Sequence, residues 1–95
     1  MPTRLKRRPA MGLYKVVAVI SYKKGLKDPE AETIHRDLIL RHGYSAVKEV
    51  RVGKQLVMLV EAEDPEAAVR YVRELCDKLL IYNPVIHEIQ VSVYG

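Results

Sequence analysis

Alternating hydrophobic positions along residues 13–22 predict the central strand of a β-sheet. The even-numbered positions of this run are apolar from Tyr14 to Tyr22, and the odd-numbered positions include Val17 and Val19. Successive side chains of a strand point to opposite faces of the sheet. A strand that is apolar on both sides belongs in the middle of a sheet, with each face covered. The pattern therefore predicts that the rest of the chain, or a second subunit, supplies both covers.

Three further stretches have the composition and alternation of strands, at residues 46–52, 55–62 and 86–94. The stretch 55–62, like the first strand, is apolar on both sides. The dipeptide Gly53-Lys54 is a tight-turn signal, so it predicts a hairpin that joins residues 46–52 to residues 55–62.

Two helices are predicted, after Asp28 and after Asp64, because each Asp is followed by Pro-Glu-Ala. An aspartate accepts hydrogen bonds from the free amides at a helix start, and proline is tolerated at the first helical position. Gly43 ends the first helix, and Asn83-Pro84 turns the chain after the second. Helical spacing predicts two buried stripes, formed by Ala31, Ile34 and Leu38 in the first helix and by Ala68, Val72, Leu75, Cys76 and Leu79 in the second.

The order of elements predicts an α+β fold of the βαββαβ, ferredoxin-like type. The two helix starts are 36 residues apart, which indicates a repeated strand–helix–strand unit. This plan has a four-stranded antiparallel sheet with both helices on one face. The first and third predicted strands are central, which agrees with their two-sided apolar pattern, and the other face of the sheet is left open.

The chain of 95 residues is long enough for a single domain, which we place at residues 11–95. Its net charge of +4 comes from a basic tail at residues 1–10, because the remaining residues carry equal numbers of acidic and basic side chains. We expect the tail to be a solvated extension. No apolar run is long enough for a membrane helix, and residues 1–10 lack the apolar stretch of a secretory signal. With a single cysteine, which is compatible with a reducing compartment, we expect a cytoplasmic location.

No set of residues has the pattern of a catalytic, metal or cofactor site. Cys76 lies on the apolar stripe of the second helix, where a buried structural thiol is expected. His35, His42 and His87 have no cysteine or carboxylate at metal-ligand spacing. No phosphate-binding loop or dinucleotide fingerprint is present.

Three functional classes share the predicted fold, so the fold alone does not choose between them. An RNA-binding sheet needs aromatic side chains on its open face, where this chain has Val17, Val19, Val57 and Leu59. A small-molecule phosphatase needs a glycine- and arginine-bearing anion loop after the first strand, and Lys23-Lys24-Gly25 is a poor substitute. A ligand-sensing or subunit-interaction module fits the sequence best.

Several segments in order resemble PurS, the small subunit of phosphoribosylformylglycinamidine synthase. The resemblance runs from Tyr14 to Val93, and its more specific parts are Val50-Arg51-Val52-Gly53-Lys54 and the succession from Leu79-Leu80 to Asn83-Pro84-Val85-Ile86. Glu30-Ala31 departs from the Gln-Gly that the family often has, and Ile81-Tyr82 makes the link before Asn83 one residue longer.

The resemblance implies a role in de novo purine synthesis. The synthase complex converts formylglycinamide ribonucleotide, glutamine and ATP to the amidine, ADP, phosphate and glutamate. PurS bridges a PurL-type synthase subunit, where ATP and magnesium are expected, and a PurQ-type glutaminase subunit, and it carries no catalytic residues. The alternative function is an amino-acid-sensing regulatory module that binds a small ligand at a subunit interface.

Two surfaces are expected to make contacts with other chains, and neither involves nucleic acid or a membrane. In the predicted topology the loop 23–27, the turn at Gly53-Lys54 and the turn at Asn83-Pro84 meet at one end of the sheet. The candidate partner-binding residues there are Lys23, Lys24, Gly25, Gly53, Lys54, Asn83 and Pro84. The candidate interface of a homodimer or homotetramer is the open face of the sheet, at Val17, Val19, Val57 and Leu59.

Overall fold

The structure, a computed structural model, describes residues 11–94, so the predicted basic tail at residues 1–10 lies outside the described residues. The strands and α-helices in chain order are β1 (Gly12–Tyr22), α1 (Pro29–Thr33), β2 (Gly53–Ala62), α2 (Pro65–Lys78) and β3 (His87–Val93). The predicted α+β class, with two helical segments and an antiparallel sheet, is confirmed. No helix within residues 11–94 is both long enough and apolar enough to cross a membrane.

The described sheet has three strands in the order β2-β1-β3, with both pairs antiparallel. The strand predicted at the centre, β1, is central, and Val17 lies opposite Val57 on one side and Ser92 on the other. Alternate residues of β1 therefore define two faces, one with Val16, Ala18 and Ile20 and the other with Val17 and Val19.

The prediction of a fourth strand at residues 46–52 is wrong, because these residues pair with no strand within residues 11–94. No hairpin forms at Gly53-Lys54; these two residues instead begin β2 and lie opposite Ser21 and Ile20. A side-chain carbon on Gly53 would stand 3.1 Å from the Ile20 carbonyl oxygen, so glycine serves a close approach of two strands here rather than a turn. As a result β2, predicted to be central, is an edge strand.

The core forms between α2 and one face of the sheet. Asp64 caps α2 as predicted, because its carboxylate accepts a hydrogen bond of 2.7 Å from the Ala67 amide. The buried stripe of α2, which consists of Ala68, Val72 and Cys76, packs in one cluster with Val16, Ala18, Ile20, Val60, Ala62 and Ile89 of the sheet. Leu79 does not belong to this stripe: it is the residue at which α2 ends, and its side chain is exposed.

The first helical segment covers residues 29–42 and ends at Gly43, which has a left-handed φ of +92°. Its start is as predicted, since the Asp28 carboxylate accepts a hydrogen bond of 3.2 Å from the Ala31 amide. Beyond α1 the segment changes to a π-helical turn over Ile34–Ile39 and a 3-10 turn over Leu40–His42.

The expectation that both helices cover one face of the sheet is wrong, because within residues 11–94 only α2 contacts the strands. The first helical segment instead lies along the extended stretch that follows it, where His35 Nε2 and the Val47 carbonyl oxygen are 2.7 Å apart. Ala31 is buried beside this stretch, whereas Leu38, predicted to be in the core, is 58% exposed. We call residues 29–52 the arm.

Candidate functional site

The structure brings the three predicted partner-binding segments together at one end of the sheet. The Lys23 amide donates to the Ile86 carbonyl oxygen at 2.9 Å, which links the loop after β1 to the turn before β3. The Arg51 guanidinium donates to the Tyr22 carbonyl oxygen, and Ser21 lies opposite Gly53. We call this end the rim; it consists of residues 23–27, 51–54 and 83–87.

Asn83 shapes the turn that enters β3. Its side-chain oxygen accepts from the Val85 amide at 3.0 Å, and its carbonyl oxygen accepts from the amides of Ile86 and His87. The Asn83 amide donates to Nδ1 of His87 at 3.0 Å, and the His87 ring lies against the Tyr22 ring with 5.2 Å between centroids. These contacts fix Pro84, the next residue, at the outer end of the rim.

Two glycines of the predicted site have structural roles. Gly25 has a φ of +89°, a left-handed conformation that is strained for any residue with a β-carbon. Gly53 permits the close approach to the Ile20 carbonyl oxygen described above. The local backbone conformation is sufficient to explain why glycine occurs at these two positions, as it is for Asn83. These residues therefore shape the rim, and they give no information about what binds to it.

The lysines of the rim have no such structural explanation. Lys23, Lys24 and Lys54 are exposed, and within residues 11–94 their side chains make no hydrogen bond or ion pair. Arg51, in contrast, is engaged by the Tyr22 carbonyl oxygen and lies 4.0 Å from the Glu88 carboxylate. A turn needs no lysine side chain, so these three charges are available to an acidic surface of another molecule.

The groups most often used in catalysis have structural roles in the described part of the chain. Cys76 is completely buried, and burial raises the pKa of its thiol, so it stays protonated and unreactive at neutral pH. His42 Nδ1 lies 2.7 Å from the Leu38 carbonyl oxygen, while His35 and His87 make the contacts given above. Within residues 11–94, no three His, Cys, Asp or Glu side chains are grouped as metal ligands would be.

An exposed apolar patch, which sequence reasoning missed, lies beside the rim. It consists of Leu79, Leu80 and Ile81, which precede the rim in the chain, together with Val85 of the rim itself; Leu80 and Val85 are 69% and 75% exposed. The helical spacing predicted that Leu79 belongs to the buried stripe. This prediction was wrong because the spacing does not show where a helix ends, and α2 ends at Leu79. The signal in the sequence was the run Leu79-Leu80-Ile81 directly after a helix, because a helix end that exposes three large apolar residues is unusual.

Leu80 is held in a conformation that leucine does not favour. Its φ is +52°, at the position just after the helix end that is commonly glycine. The Ile81 amide donates to the Cys76 carbonyl oxygen at 3.0 Å, and the Leu80 amide to the Asp77 carbonyl oxygen at 3.4 Å. These two bonds form the usual helix-ending motif, which costs more with leucine than with glycine. Since the Leu80 side chain is exposed, the folded chain gains little from it in return.

The predicted oligomer interface forms one surface on the face of the sheet opposite α2. Val17 of β1 lies opposite Val57 of β2. The next pair on the same face is Lys15 of β1 with Leu59 of β2. Val17 is buried by its neighbours, whereas Val19, Val57 and Leu59 are exposed, with Leu59 at 68%. Leu13 extends this apolar surface toward the start of β1.

Comparisons with known proteins give a consistent result. Residues 15–95 match the family model PurS, described as phosphoribosylformylglycinamidine (FGAM) synthase. The chain is 41% identical over 81 residues to the phosphoribosylformylglycinamidine synthase subunit PurS of Methanocaldococcus jannaschii. The aligned region covers 85% of this chain and 95% of the relative.

Solved structures agree with the sequence matches. The crystal structure of the purS subunit of phosphoribosylformylglycinamidine synthase from Thermotoga maritima superposes with a TM-score of 0.77 and 36% identity, covering 90% of this chain and 95% of that one. A chain in the structure of PurLQS from the same organism superposes with a TM-score of 0.76 and 37% identity, covering 87% of this chain and 99% of that one.

Leu80→Gly is expected to raise the free energy of unfolding by about 0.5–1 kcal/mol. Glycine relieves the strain of the left-handed conformation, and the greater backbone entropy that glycine loses on folding cancels only part of this gain. Denaturant unfolding measures the change. Leu79→Gly is the matched control: Leu79 has a φ of −91°, so glycine relieves no strain there and is expected to destabilise the chain. Equal effects of the two substitutions would contradict a strained Leu80.

Proposed function

This chain belongs to the PurS family, and from that membership we propose that it acts as the small, non-catalytic subunit of phosphoribosylformylglycinamidine synthase in de novo purine biosynthesis. The match over residues 15–95 to the family model is the observation that carries the proposal. It favours a synthase subunit over the amino-acid-sensing module that the fold also allows.

In the proposed role the chain bridges a glutaminase subunit of the PurQ type and a synthase subunit of the PurL type. The resemblance to a chain in the PurLQS structure supports this arrangement. ATP and magnesium belong to the synthase subunit in this proposal, and the present chain contributes contacts alone. Its buried thiol and its engaged histidines are consistent with a subunit that holds others together.

We assign the partner contact to the rim and the adjoining apolar patch. The lysines supply charge at long range, which increases the rate of encounter with an acidic surface. Leu80 and Val85 supply apolar side chains that gain free energy only when a partner covers them. The strain at Leu80 supports this assignment, because a backbone strained without benefit to folding commonly marks a functional position.

Reconstitution tests the proposed function. We expect that the chain alone hydrolyses neither glutamine nor ATP, and that adding it to the glutaminase and synthase subunits of the same organism restores glutamine-dependent formation of the amidine. The same assay without the chain is the control. Turnover by the isolated chain that Cys76→Ser abolishes, or amidine formation that does not depend on the chain, would contradict the proposal.

Reversing the charge of the rim is expected to weaken binding to the partner subunits. Lys23→Glu plus Lys54→Glu should raise the dissociation constant by about tenfold at low salt and by less at high salt, since screening reduces interactions between exposed charges. Titration calorimetry measures the constant. Arg41→Glu plus Arg70→Glu, two exposed residues outside the rim, makes the same change in net charge and should have little effect. Unaltered binding of the lysine variant would contradict the assignment of the partner contact to the rim.

We also propose that the chain forms a homodimer or homotetramer through the open face of the sheet. Covering a Val or Leu side chain is worth roughly 1.5–3 kcal/mol, so the exposed Val19, Val57 and Leu59 favour a contact with a second copy. A two-fold contact between identical faces is the commonest arrangement.

Val19→Asp plus Leu59→Asp is expected to lower the mass of the assembly without unfolding the chain, because both side chains are already exposed in the single chain. Light scattering measures the mass. Leu80→Asp plus Val85→Asp introduces the same charges on the apolar patch and should leave self-association unchanged. An assembly of unaltered mass in the first variant would exclude this face.

A further inference from the structure

We propose that the rim end of the sheet holds a binding site for a small zwitterion, an α-amino acid with an aliphatic side chain. The site is a cavity of about 410 Å³ on the face of the sheet that α2 covers, beyond the end of α2. It is lined by parts of all three strands, of α1 and of the segment after α2. Small-molecule sites commonly measure roughly 300–1,000 Å³, so the cavity suits a metabolite rather than a protein segment.

The walls of this cavity are held in place by contacts within the chain. The Asp28 carboxylate accepts from the Val52 amide at 3.1 Å, which sets the start of α1 beside the start of β2. The Tyr22 ring lies against the His87 ring, and the Ile81 amide is hydrogen-bonded at 3.0 Å to a carbonyl oxygen in the last turn of α2. The cavity is therefore preformed, and a ligand does not have to order its walls at a cost in free energy.

Two opposite charges line the cavity without neutralising each other. Glu30 of α1 and Lys54 of β2 both contribute to its lining. Within residues 11–94, neither side chain makes an ion pair or a hydrogen bond. A molecule that carries an ammonium group and a carboxylate can bridge the two charges. A simple anion would meet Glu30 as a like charge, and a simple cation would meet Lys54 in the same way.

His87 supplies a hydrogen-bond donor in the same cavity. Its Nδ1 accepts from the Asn83 amide at 3.0 Å, so the proton of the neutral ring is on Nε2. A carboxylate accepts several hydrogen bonds, and the Lys54 ammonium and the His87 N–H together provide donors for it. We therefore assign the carboxylate of the ligand to Lys54 and His87, and its ammonium group to Glu30.

The remaining lining is largely aliphatic and selects the ligand's side chain. Ile20, Val52 and Ile81 line the cavity, and Ile81 is exposed in the single chain. An aliphatic side chain that covers them removes apolar surface from water, which is favourable. A polar side chain would lose its hydration there without finding partners. A side chain of the size and shape of leucine meets both conditions.

Glu30 ties the site to this chain rather than to the whole PurS family. Glu30-Ala31 stands where the family often has Gln-Gly, and a glutamine amide carries no charge to neutralise an ammonium group. Glu30→Gln therefore removes the negative charge with a residue that the family accommodates, so the variant is expected to fold. Binding of the ligand to the isolated chain needs no other subunit, and the site is accordingly independent of the proposed bridging role.

Amide NMR of the isolated full chain tests the site with three probes. Titration with L-leucine is expected to shift the signals of residues around the cavity, with a dissociation constant on the order of 1 mM. The compound 4-methylpentanoate lacks the ammonium group of leucine, and 3-methylbutylamine lacks its carboxylate. Each should bind at least fivefold more weakly than L-leucine, since each leaves one charge of the cavity without a partner.

Two variants with matched controls assign the charges. Glu30→Gln and Lys54→Gln are each expected to weaken L-leucine binding at least fivefold. Glu32→Gln and Lys24→Gln remove the same charges from exposed residues that do not line the cavity, and they should bind L-leucine as the original chain does. The amide spectra of all four variants also report whether the fold is intact.

The outcomes that would overturn the proposal are distinct. They are the absence of any shift with L-leucine, shifts confined to residues away from the cavity, equal binding of the three probes, and equal effects of the cavity variants and their controls. None of these results would affect the reconstitution assay, because that assay depends on the other two subunits and not on an added amino acid of this kind.

Discussion

The whole structure depends on β1 being paired on both edges and buried on the face toward α2. Val16 and Ala18 have no exposed surface, and they pack against Val72 and Cys76 of α2. Burying side chains of this size contributes roughly 1.5–3 kcal/mol each, so a few such contacts are comparable to the stability of a small domain. The edge strands β2 and β3 are positioned by their pairing with β1, and the rim consists of the segments that enter and leave these three strands.

The close approach of β2 to β1 at Gly53 determines which residues belong to the sheet and which belong to the arm. Because pairing begins at Gly53, the preceding residues continue in line with β2 and carry the first helical segment away from the sheet. Within residues 11–94, one edge of β2 is thereby left without a strand and part of the sheet without a helix. The exposed surfaces at the arm, the rim and the open face follow from the architecture of the described residues, a three-stranded sheet covered by a single helix. A protein with such surfaces is suited to assembly with other chains, which agrees with its family.

The sequence was sufficient for the elements that depend on local pattern. The alternation along β1, the Asp64 cap of α2 and the glycine at the end of the first helical segment are all in the structure, since each is set by a few neighbouring residues. The turn at Gly53-Lys54 was wrong because glycine before a polar residue is equally suited to a close strand approach, and the difference depends on Ile20, 33 residues earlier. The helix period likewise could not show that α2 ends at Leu79, which left the apolar patch unnoticed. The rim lysines could be predicted because the order of the elements places their loops at one end of the sheet, and their charge is read directly from the sequence.

Amide hydrogen exchange tests most directly whether this chain is a component that other chains complete. It is measured peptide by peptide for the chain at low and high concentration and then for the chain with its glutaminase and synthase partners. We predict that β1 and β2 are protected throughout, because they pair in the single chain, and that residues 23–27 and 79–86 gain further protection only with the partners. Rim amides that are fully protected in the dilute chain, or that are unchanged when the partners are added, would contradict this account.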